Sequence, residues 1–436
     1  MNSSESPANC QVCKISKPDR TLSGTVTLNS SKSESNRALL IQALCKFPLK
    51  LNNLSQANDT KILVRLLRQC AESSSENSTY DAGNAGTVLR FLTAYFSVLP
   101  GMRILTGDQR MKQRPVKPLV EALRKLGAEI TYLGNEGYPP LKISGSRLAG
   151  GEVEIDASMS SQYASALLLI SPSLSRGLCL HFKGETTSVP YIHMTLKMME
   201  QFNVRGIWKG RTLSIEPQHY SCTDEVNQYS IEADWSAASY WYSMVALSGR
   251  ADLRLMGLKA ESLQGDSILK DLYVLLGVKT EFIEGGIRLS KEGPVSGFIA
   301  CDFSDCPDIA QTFIVTAAGL RIPVLLNGLH TLKIKETDRL FALREELKRV
   351  GITAEENYPD SLEINSYPDR LNSGIPTEAH SYFCFETYGD HRMAMSFAPL
   401  AMIFDSVGIM DPDVVEKSYP AFWEDFKSVG FKLEFV

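Results

Sequence analysis

Apolar residues along the chain gather into helical ends, each followed by a turn residue and a short strand. The pattern reads LLRQCAE around Cys70, LRKLGAEI at Gly127, MMEQFNVRGI at Asn203, LYVLLGVKTEF at Gly277, ELKRVGITAEE at Gly351 and FKSVGFKLEF at Gly430. Four of the six turn positions hold Gly, which suits a helix ending in the left-handed region, and Asn203 is the next best residue for it. The last four intervals are 76, 74, 74 and 79 residues, whereas the first is 57. This spacing predicts six copies of one αβ unit, with roughly one strand-helix piece missing between the first two. A chain of 436 residues is too long for one ordinary core, so three repeats in each of two domains is the natural division.

Composition narrows the function classes. A hydrophobic content of 44% and a charged content of 22% are those of a globular protein, and a net charge of −5 gives no general affinity for nucleic acid. No apolar run reaches the ~18 residues that cross a bilayer. The start, MNSSESPANCQVC, has neither a basic region nor an apolar core. Its first dozen residues read as a frayed end, and a cytoplasmic location is expected. Cysteines fall at 10, 13, 45, 70, 179, 222, 301, 306 and 384, an odd count without a disulfide spacing. Cys10-x-x-Cys13 has no second pair and no CxxH-like partner, so zinc is not expected there, and reduced, mostly buried thiols are the better reading.

Seven stretches place charge or hydrogen-bond donors just before an apolar helix. Leu28–Arg37 (LNSSKSESNR) offers Lys32 and Arg37 among caps, at a helix start that collects anions. Asp81–Arg90 (DAGNAGTVLR) flanks Asn84-Ala85 with glycines that permit close backbone approach to a phosphate or carboxylate, although a plain tight turn also explains it. Leu105–Pro115 concentrates Arg110, Lys112 and Arg114, and Ala157–Gln162 offers Ser160, Ser161 and Gln162. In Ser304–Asp308 a carboxylate sits where a helix dipole favours its ionised form, as a base or simply as a cap. Lys333–Arg339 (KIKETDR), Tyr388–Arg392 (YGDHR) and the nearby Lys417 complete the set. Together they suit a substrate carrying several phosphates and carboxylates.

At these residues the chain resembles the 5-enolpyruvylshikimate-3-phosphate synthases, an enolpyruvyl transferase family of the shikimate pathway to chorismate and aromatic amino acids. The matching strings are SKSESNRALL, GNAGTVLR, LTGDQRMKQRPV, SSQYASALL, PYIHMTLKMM, KETDRLFAL and YGDHRMAM, in family order. The resemblance implies an α/β fold of two domains, an inside-out α/β barrel of six βαβαββ repeats, three per domain, with the first shortened. It implies one domain from 1–30 with 232–436 and an inserted one from 31–231, the active site lying in the cleft between them. It also implies shikimate-3-phosphate and phosphoenolpyruvate as substrates, no metal or other cofactor, and a monomer acting without nucleic acid or membrane.

Carried over residue by residue, the resemblance implies shikimate-3-phosphate contacts at Lys32, Ser33, Arg37, Ser160, Ser161, Gln162, Ser188, Tyr191, Asp308 and Lys335. Phosphoenolpyruvate contacts are implied at Lys32, Asn84, Gly86, Arg114, Gln162, Arg339, Arg392 and Lys417. Asp308 would take the proton from the 5-hydroxyl, and Glu336 and Lys32 would handle the proton at the methylene carbon. In this family glyphosate occupies the phosphoenolpyruvate site, and a small residue at the position of Gly86 leaves room for it.

Departures from the family pattern are a shortened 70–83 stretch, Asn29-Ser30 for Pro-Gly, Phe91 for a frequent Pro, and Thr331 where a substrate-binding Asn is common. The sister enzyme that uses UDP-N-acetylglucosamine carries a Cys in the loop matching Leu105–Pro115, and this chain has none there. A catalytically dead anion-binding scaffold is the other alternative, against which stand Lys32, Asp308 and Glu336.

Overall fold

The computed structural model describes residues 11–72, 78–156, 158, 160–184, 186–221, 227–293, 297–357, 360–365, 367 and 381–436. The turn chemistry appears directly in the backbone. Gly127, Asn203, Gly277, Gly351 and Gly430 have φ of 102°, 60°, 77°, 80° and 91°. Cys70 does not end a helix, because the helix that contains it runs on to Glu72. Position 70 faces a half-exposed surface there, and no helix-stopping residue precedes Glu72. Of the first dozen residues expected to fray, 1–10 lie outside the described residues and Val12 already belongs to the strand Val12–Ser16.

Internal contacts divide the chain into two units. One comprises Ser30–Ala233 with Glu261–Gly265, the other the chain up to Asn29 with Asp234–Ala260 and Asp266–Val436. The first unit contains helices α1 (Lys32–Leu44), α2 (Asn58–Glu72), α3 (Gly86–Val98), α4 (Lys117–Lys125), α5 (Ser161–Ile170) and α6 (Val189–Glu200). Strands Ser78–Asp81 and Gly101–Thr106 pair in parallel, and Leu141–Gly145 and Glu129–Tyr132 extend the sheet antiparallel. The same connectivity joins Gly151–Asp156, Leu178–Lys183, Thr212–Ile215 and Ile207–Lys209. The third sheet has only the parallel pair, Lys50–Asn52 with Gln228–Ser230. Both helices of that segment, α1 and α2, are present. What has no counterpart among the described residues is the antiparallel pair, not the strand-helix piece that the spacing predicts.

The second unit contains α7 (Trp235–Leu247), α8 (Leu269–Leu272), α9 (Pro307–Leu320), α10 (Arg339–Arg349), α11 (His391–Phe397) and α12 (Phe422–Ser428). It has three four-stranded sheets of the same connectivity. In one of them Val12–Ser16 lies between Val407–Met410 and Lys432–Phe435, so the chain start completes a sheet built from its end.

In each unit one set of helices packs on itself. Helices α7, α9 and α11 contact one another, and every residue of α11 and all but Ser236 of α7 are buried. Helices α1, α3 and α5 do the same, with Val88–Ser97 and Tyr163–Ile170 buried throughout. Helices buried around their circumference are mostly apolar all round, and the charged exceptions among these residues are Arg90 and Arg392. By contrast α4 buries only Leu119, Val120, Ala122 and Leu123, a stripe at helical spacing.

Candidate active site

In the unit formed by residues 30–233 and 261–265, Ser31 caps α1, its hydroxyl accepting from Glu34 N–H at 3.3 Å. Glu34 accepts from Tyr229 Oη at 2.6 Å, which fixes the entry of the helix. Lys32, the first residue of α1, reaches Asp59 on α2 at 3.2 Å. Arg37 is 2% exposed. Four of its five N–H groups donate: Nε to Thr195 Oγ1, Nη1 to the Ser33 carbonyl, and Nη2 to Ser165 Oγ and the Tyr191 carbonyl, at 2.7, 2.9, 3.2 and 3.3 Å. Burial pulls its pKa down to about 10, which leaves it charged at neutrality. Its guanidinium lies 5.5 Å from the ring of Phe91, the residue that stands where the family often has Pro. Ser33 therefore reaches Arg37 through its backbone, and Tyr191 through its carbonyl and its ring, 5.9 Å from the guanidinium.

The start of α3 gathers two guanidinium groups. Gly86 has an ordinary φ, and the left-handed residue of this loop is Gly83 at 54°. A Cβ on Gly86 would stand 2.7 Å from Arg90 Nη1 and 2.8 Å from both Nη atoms of Arg114. Arg114 Nη1 donates to the Asn84 carbonyl at 3.5 Å. Arg90 Nη1 donates to Gln162 Oε1 at 2.8 Å, and Gln162 Nε2 donates to Thr87 Oγ1 at 3.0 Å. Ser160 caps α5 by accepting from Gln162 N–H at 3.3 Å, and Ser161 is buried behind it. Ser188 precedes α6 in the left-handed region at φ 54°. Ala157 and Met159 of the serine-rich loop lie outside the described residues.

In the other unit the candidate residues form an ionic cluster. Asp308 is the second residue of α9, and it does not cap the helix. Its carboxylate accepts from Arg392 Nη2 at 2.9 Å and Lys335 Nζ at 3.4 Å, with Arg339 Nη1 at 3.7 Å. Arg339 is 1% exposed and gives Nε and Nη2 to the two oxygens of Asp390 at 2.7 and 3.2 Å. Burial works against the Arg339 charge, but Asp390 and Glu336 outweigh it and hold its pKa above the ordinary value. Glu336 accepts from Arg339 Nη2 at 3.0 Å and faces Lys417 Nζ at 3.6 Å. Burial pulls the Lys335 pKa down, and Asp308 opposes the shift. Asp266, 2% exposed, accepts from Ser236 Oγ. Burial first, and then the charge of Asp308, push its carboxyl up to about 7. Thr331 is buried, and its hydroxyl has no hydrogen-bond partner among the described residues.

The structure thus brings Asp308, Lys335, Glu336, Arg339, Arg392 and Lys417 into one cluster. Among the described residues of the other unit it joins Ser33, Arg37 and Tyr191, and separately Asn84, Gly86, Arg114 and Gln162. Sequence reasoning missed Asp59, Arg90, Asp266 and Asp390. Arg90 and Asp390 lie inside the quoted strings GNAGTVLR and YGDHRMAM, where an unassigned charge beside assigned ones is the available signal. Asp59 and Asp266 carry none.

A family model described as EPSP synthase (3-phosphoshikimate 1-carboxyvinyltransferase) matches residues 70–426. The chain belongs to the EPSP synthase family. It is 44% identical over 414 residues to a 3-phosphoshikimate 1-carboxyvinyltransferase of Bacteroides fragilis, covering 95% of this chain and 97% of the relative. The namesake of Sulfurovum sp. is 36% identical over 436 residues, at 95% and 98% coverage. The fold is similar to that of EPSP synthase from Acinetobacter baumannii, with a TM-score of 0.75 at 20% identity over 98% of this chain and all of that one. Membership makes the chain a transferase with mixed α/β architecture.

Proposed function

We propose that the chain transfers the enolpyruvyl group of phosphoenolpyruvate to the 5-hydroxyl of shikimate-3-phosphate, releasing phosphate. Family membership supports the reaction, and the single structural observation that carries the residue roles is the Asp308 carboxylate facing Lys335, Arg339 and Arg392. On this reading Asp308 takes the 5-hydroxyl proton while Glu336 or Lys32 delivers a proton to the methylene carbon of phosphoenolpyruvate. The oxygen then bonds to the adjacent carbon, giving a tetrahedral adduct. Loss of a proton from the new methyl group and cleavage of the bond between the tetrahedral carbon and the phosphate oxygen re-form the double bond, giving the enol ether and phosphate. An acid and a base on opposite sides of one carbon are needed because neither the hydroxyl nor the unprotonated double bond is reactive by itself. Arg114, Arg339, Arg392 and Lys417 would stabilise the charge on the departing phosphate.

The remaining assignments belong to the same reading. Ser33, Arg37, Ser160, Ser161, Gln162, Ser188, Tyr191 and Lys335 would hold shikimate-3-phosphate, and Asn84 and Gly86 would offer backbone to phosphoenolpyruvate. Arg37 has a single N–H left for a ligand, so its main part would be to position Ser33 and Tyr191. The residues of both units would serve one pair of substrates. Three βαβαββ repeats per unit with their helices inward, one repeat lacking its antiparallel pair, would be this family's inside-out barrel. A monomer in the cytoplasm belongs to the same reading, and the free thiols of Cys13, Cys70, Cys179, Cys301 and Cys306 fit a reducing compartment.

Phosphate release measured with both substrates tests the reading. Release that requires both supports it. Release with UDP-N-acetylglucosamine in place of shikimate-3-phosphate would point to the sister reaction. No release with any acceptor would leave an anion-binding scaffold.

A further inference from the structure

The strand Leu178–Lys183 alternates strictly between inside and outside. Leu178, Leu180 and Phe182 enter the core, and Cys179, His181 and Lys183 face outward. Register places Glu152 directly across from Cys179 on one neighbouring strand, and Thr212 directly across from His181 on the other. On this outer face the imidazole Nε2 of His181 lies 3.6 Å from Cys179 Sγ and 3.7 Å from Glu152 Oε2. Their ligand atoms all fall within 4.8 Å of one another.

We infer that Glu152, Cys179 and His181 form a binding site for a zinc-like divalent transition ion on the outer face of this sheet. Three properties support the inference. The donor set is one thiolate, one imidazole and one carboxylate, the ligands that zinc takes, and its two negative charges neutralise a divalent cation. The two separations from Nε2, 3.6 and 3.7 Å, are close to those around a tetrahedral ion. Bonds of roughly 2.3 Å to sulfur and 2.0 Å to nitrogen or oxygen put such ligand atoms about 3.3–3.6 Å apart. Finally, the other ring nitrogen of His181 is already engaged, with Nδ1 3.1 Å from Thr212 Oγ1. Nδ1–H donating to that hydroxyl leaves the Nε2 lone pair facing the sulfur and the carboxylate, which is how a second partner orients a metal-binding imidazole. Ser214 Oγ likewise donates to Cys179 Sγ at 3.5 Å. Three protein ligands leave a fourth position for water. Because the ligands come from two adjacent strands, the ion would clip the strand Gly151–Asp156 to Leu178–Lys183. An ordinary exposed cross-strand trio is the alternative, and it predicts no thiolate–metal bond.

Cobalt(II) is the probe, because its thiolate bond gives a charge-transfer band and its four-coordinate geometry intense d–d bands. The reduced full-length chain is titrated with cobalt(II), and then with zinc(II) to displace it. The expected result is a thiolate charge-transfer band that saturates, disappears on adding zinc, and is lost in Cys179→Ser. His181→Gln and Glu152→Gln should weaken cobalt binding strongly, and Thr212→Val by about 10- to 100-fold, the effect of removing an outer partner. Circular dichroism and retained transferase activity of each variant exclude misfolding, since none of these residues belongs to the proposed catalytic set. Absence of the band, or a band of full intensity in Cys179→Ser, would overturn the inference. The second result would mean that another thiol holds the metal.

Discussion

Gly86→Ala isolates the role of the guanidinium pair at the start of α3. Its φ lies outside the left-handed region, so alanine meets no backbone strain there. The new methyl would instead stand 2.7–2.8 Å from nitrogens of Arg90 and Arg114, some 0.6–0.7 Å inside an ordinary contact of 3.4 Å. Both guanidinium groups are ends of flexible side chains, so they move and the helix stays. As Gly86 is the first residue of α3, the change in helix propensity is below about 1 kcal/mol. That corresponds to a shift in Tm of about 2–4 °C at most. Losing one charge-assisted hydrogen bond to an anion costs about 1.5–3 kcal/mol. The KM for phosphoenolpyruvate should therefore rise about 10- to 100-fold. Glyphosate, the longer ligand, should lose more than phosphoenolpyruvate. The assay is steady-state phosphate release at saturating shikimate-3-phosphate, with the glyphosate inhibition constant and Tm measured alongside. If both constants stay within twofold of the parent, the guanidinium argument is wrong. If both ligands weaken equally and Tm falls steeply, the glycine supports the loop itself.

Four further outcomes follow from the ionic cluster. Asp308→Asn should lower kcat by about 10²–10⁴ while leaving both KM values within a few fold, and near-normal kcat would refute its role as base. Glu336→Gln should also lower kcat, whereas normal turnover with reduced Tm would make it a structural partner of Arg339. Asp390→Ala strands the buried Arg339 charge and should cost about 3–5 kcal/mol of stability by urea denaturation; a loss below 1 kcal/mol would mean that Glu336 and Asp308 suffice. Asp266 has a carboxyl raised to about 7 by burial, so the folded protein holds a proton that the unfolded chain has released. Stability from this group is therefore fully present below pH ~4 and is lost as pH rises through ~7. Asp266→Asn should flatten that part of the stability profile relative to the parent protein, and identical profiles would dismiss the effect.

What could be read from the sequence depended on how local its cause is. Positive φ at Gly127, Asn203, Gly277, Gly351 and Gly430 is set by one residue's own sterics, and each shows it. The caps Ser31 and Ser160 act within three residues and were visible for the same reason. At Cys70 no such residue marks a stop, and the helix continues. In the Asp81–Arg90 loop the two glycines differ: Gly83 supplies the left-handed turn, and Gly86 supplies room beside two guanidinium groups. Non-local partners left no trace. Nothing in the chain pattern pairs Val12–Ser16 with the last strand, or Lys32 with Asp59, or Arg37 with Thr195. Glu152 escaped for the same reason, since it meets Cys179 through strand register, whereas Cys179 and His181 stand two residues apart on one strand.

These partners also bear on how the site would bind anions. Each candidate cation meets a protein acceptor: Lys32 has Asp59, Arg114 the Asn84 carbonyl, Lys335 and Arg392 Asp308, Arg339 Asp390, and Lys417 Glu336. An incoming phosphate or carboxylate must therefore exchange with, or share, an existing partner. Where that partner is another buried ion, as with Arg339 and Asp390, exchange would strand a charge and is costly. Where it is a carbonyl at 3.5 Å, as with Arg114, a charged ligand is the stronger acceptor and exchange is favourable. Among these pairs the Arg114–Asn84 contact is accordingly the one that yields most readily to substrate, whereas Lys417 faces the carboxylate of Glu336. Arg339 instead serves as a fixed centre of positive charge, held by Asp390 in the orientation that faces Glu336 and Asp308. The same logic explains why an acid would sit among so many cations. Asp308 separates Lys335, Arg339 and Arg392, whose mutual repulsion would otherwise oppose the cluster, and on the proposed mechanism it would also be the group that accepts the hydroxyl proton.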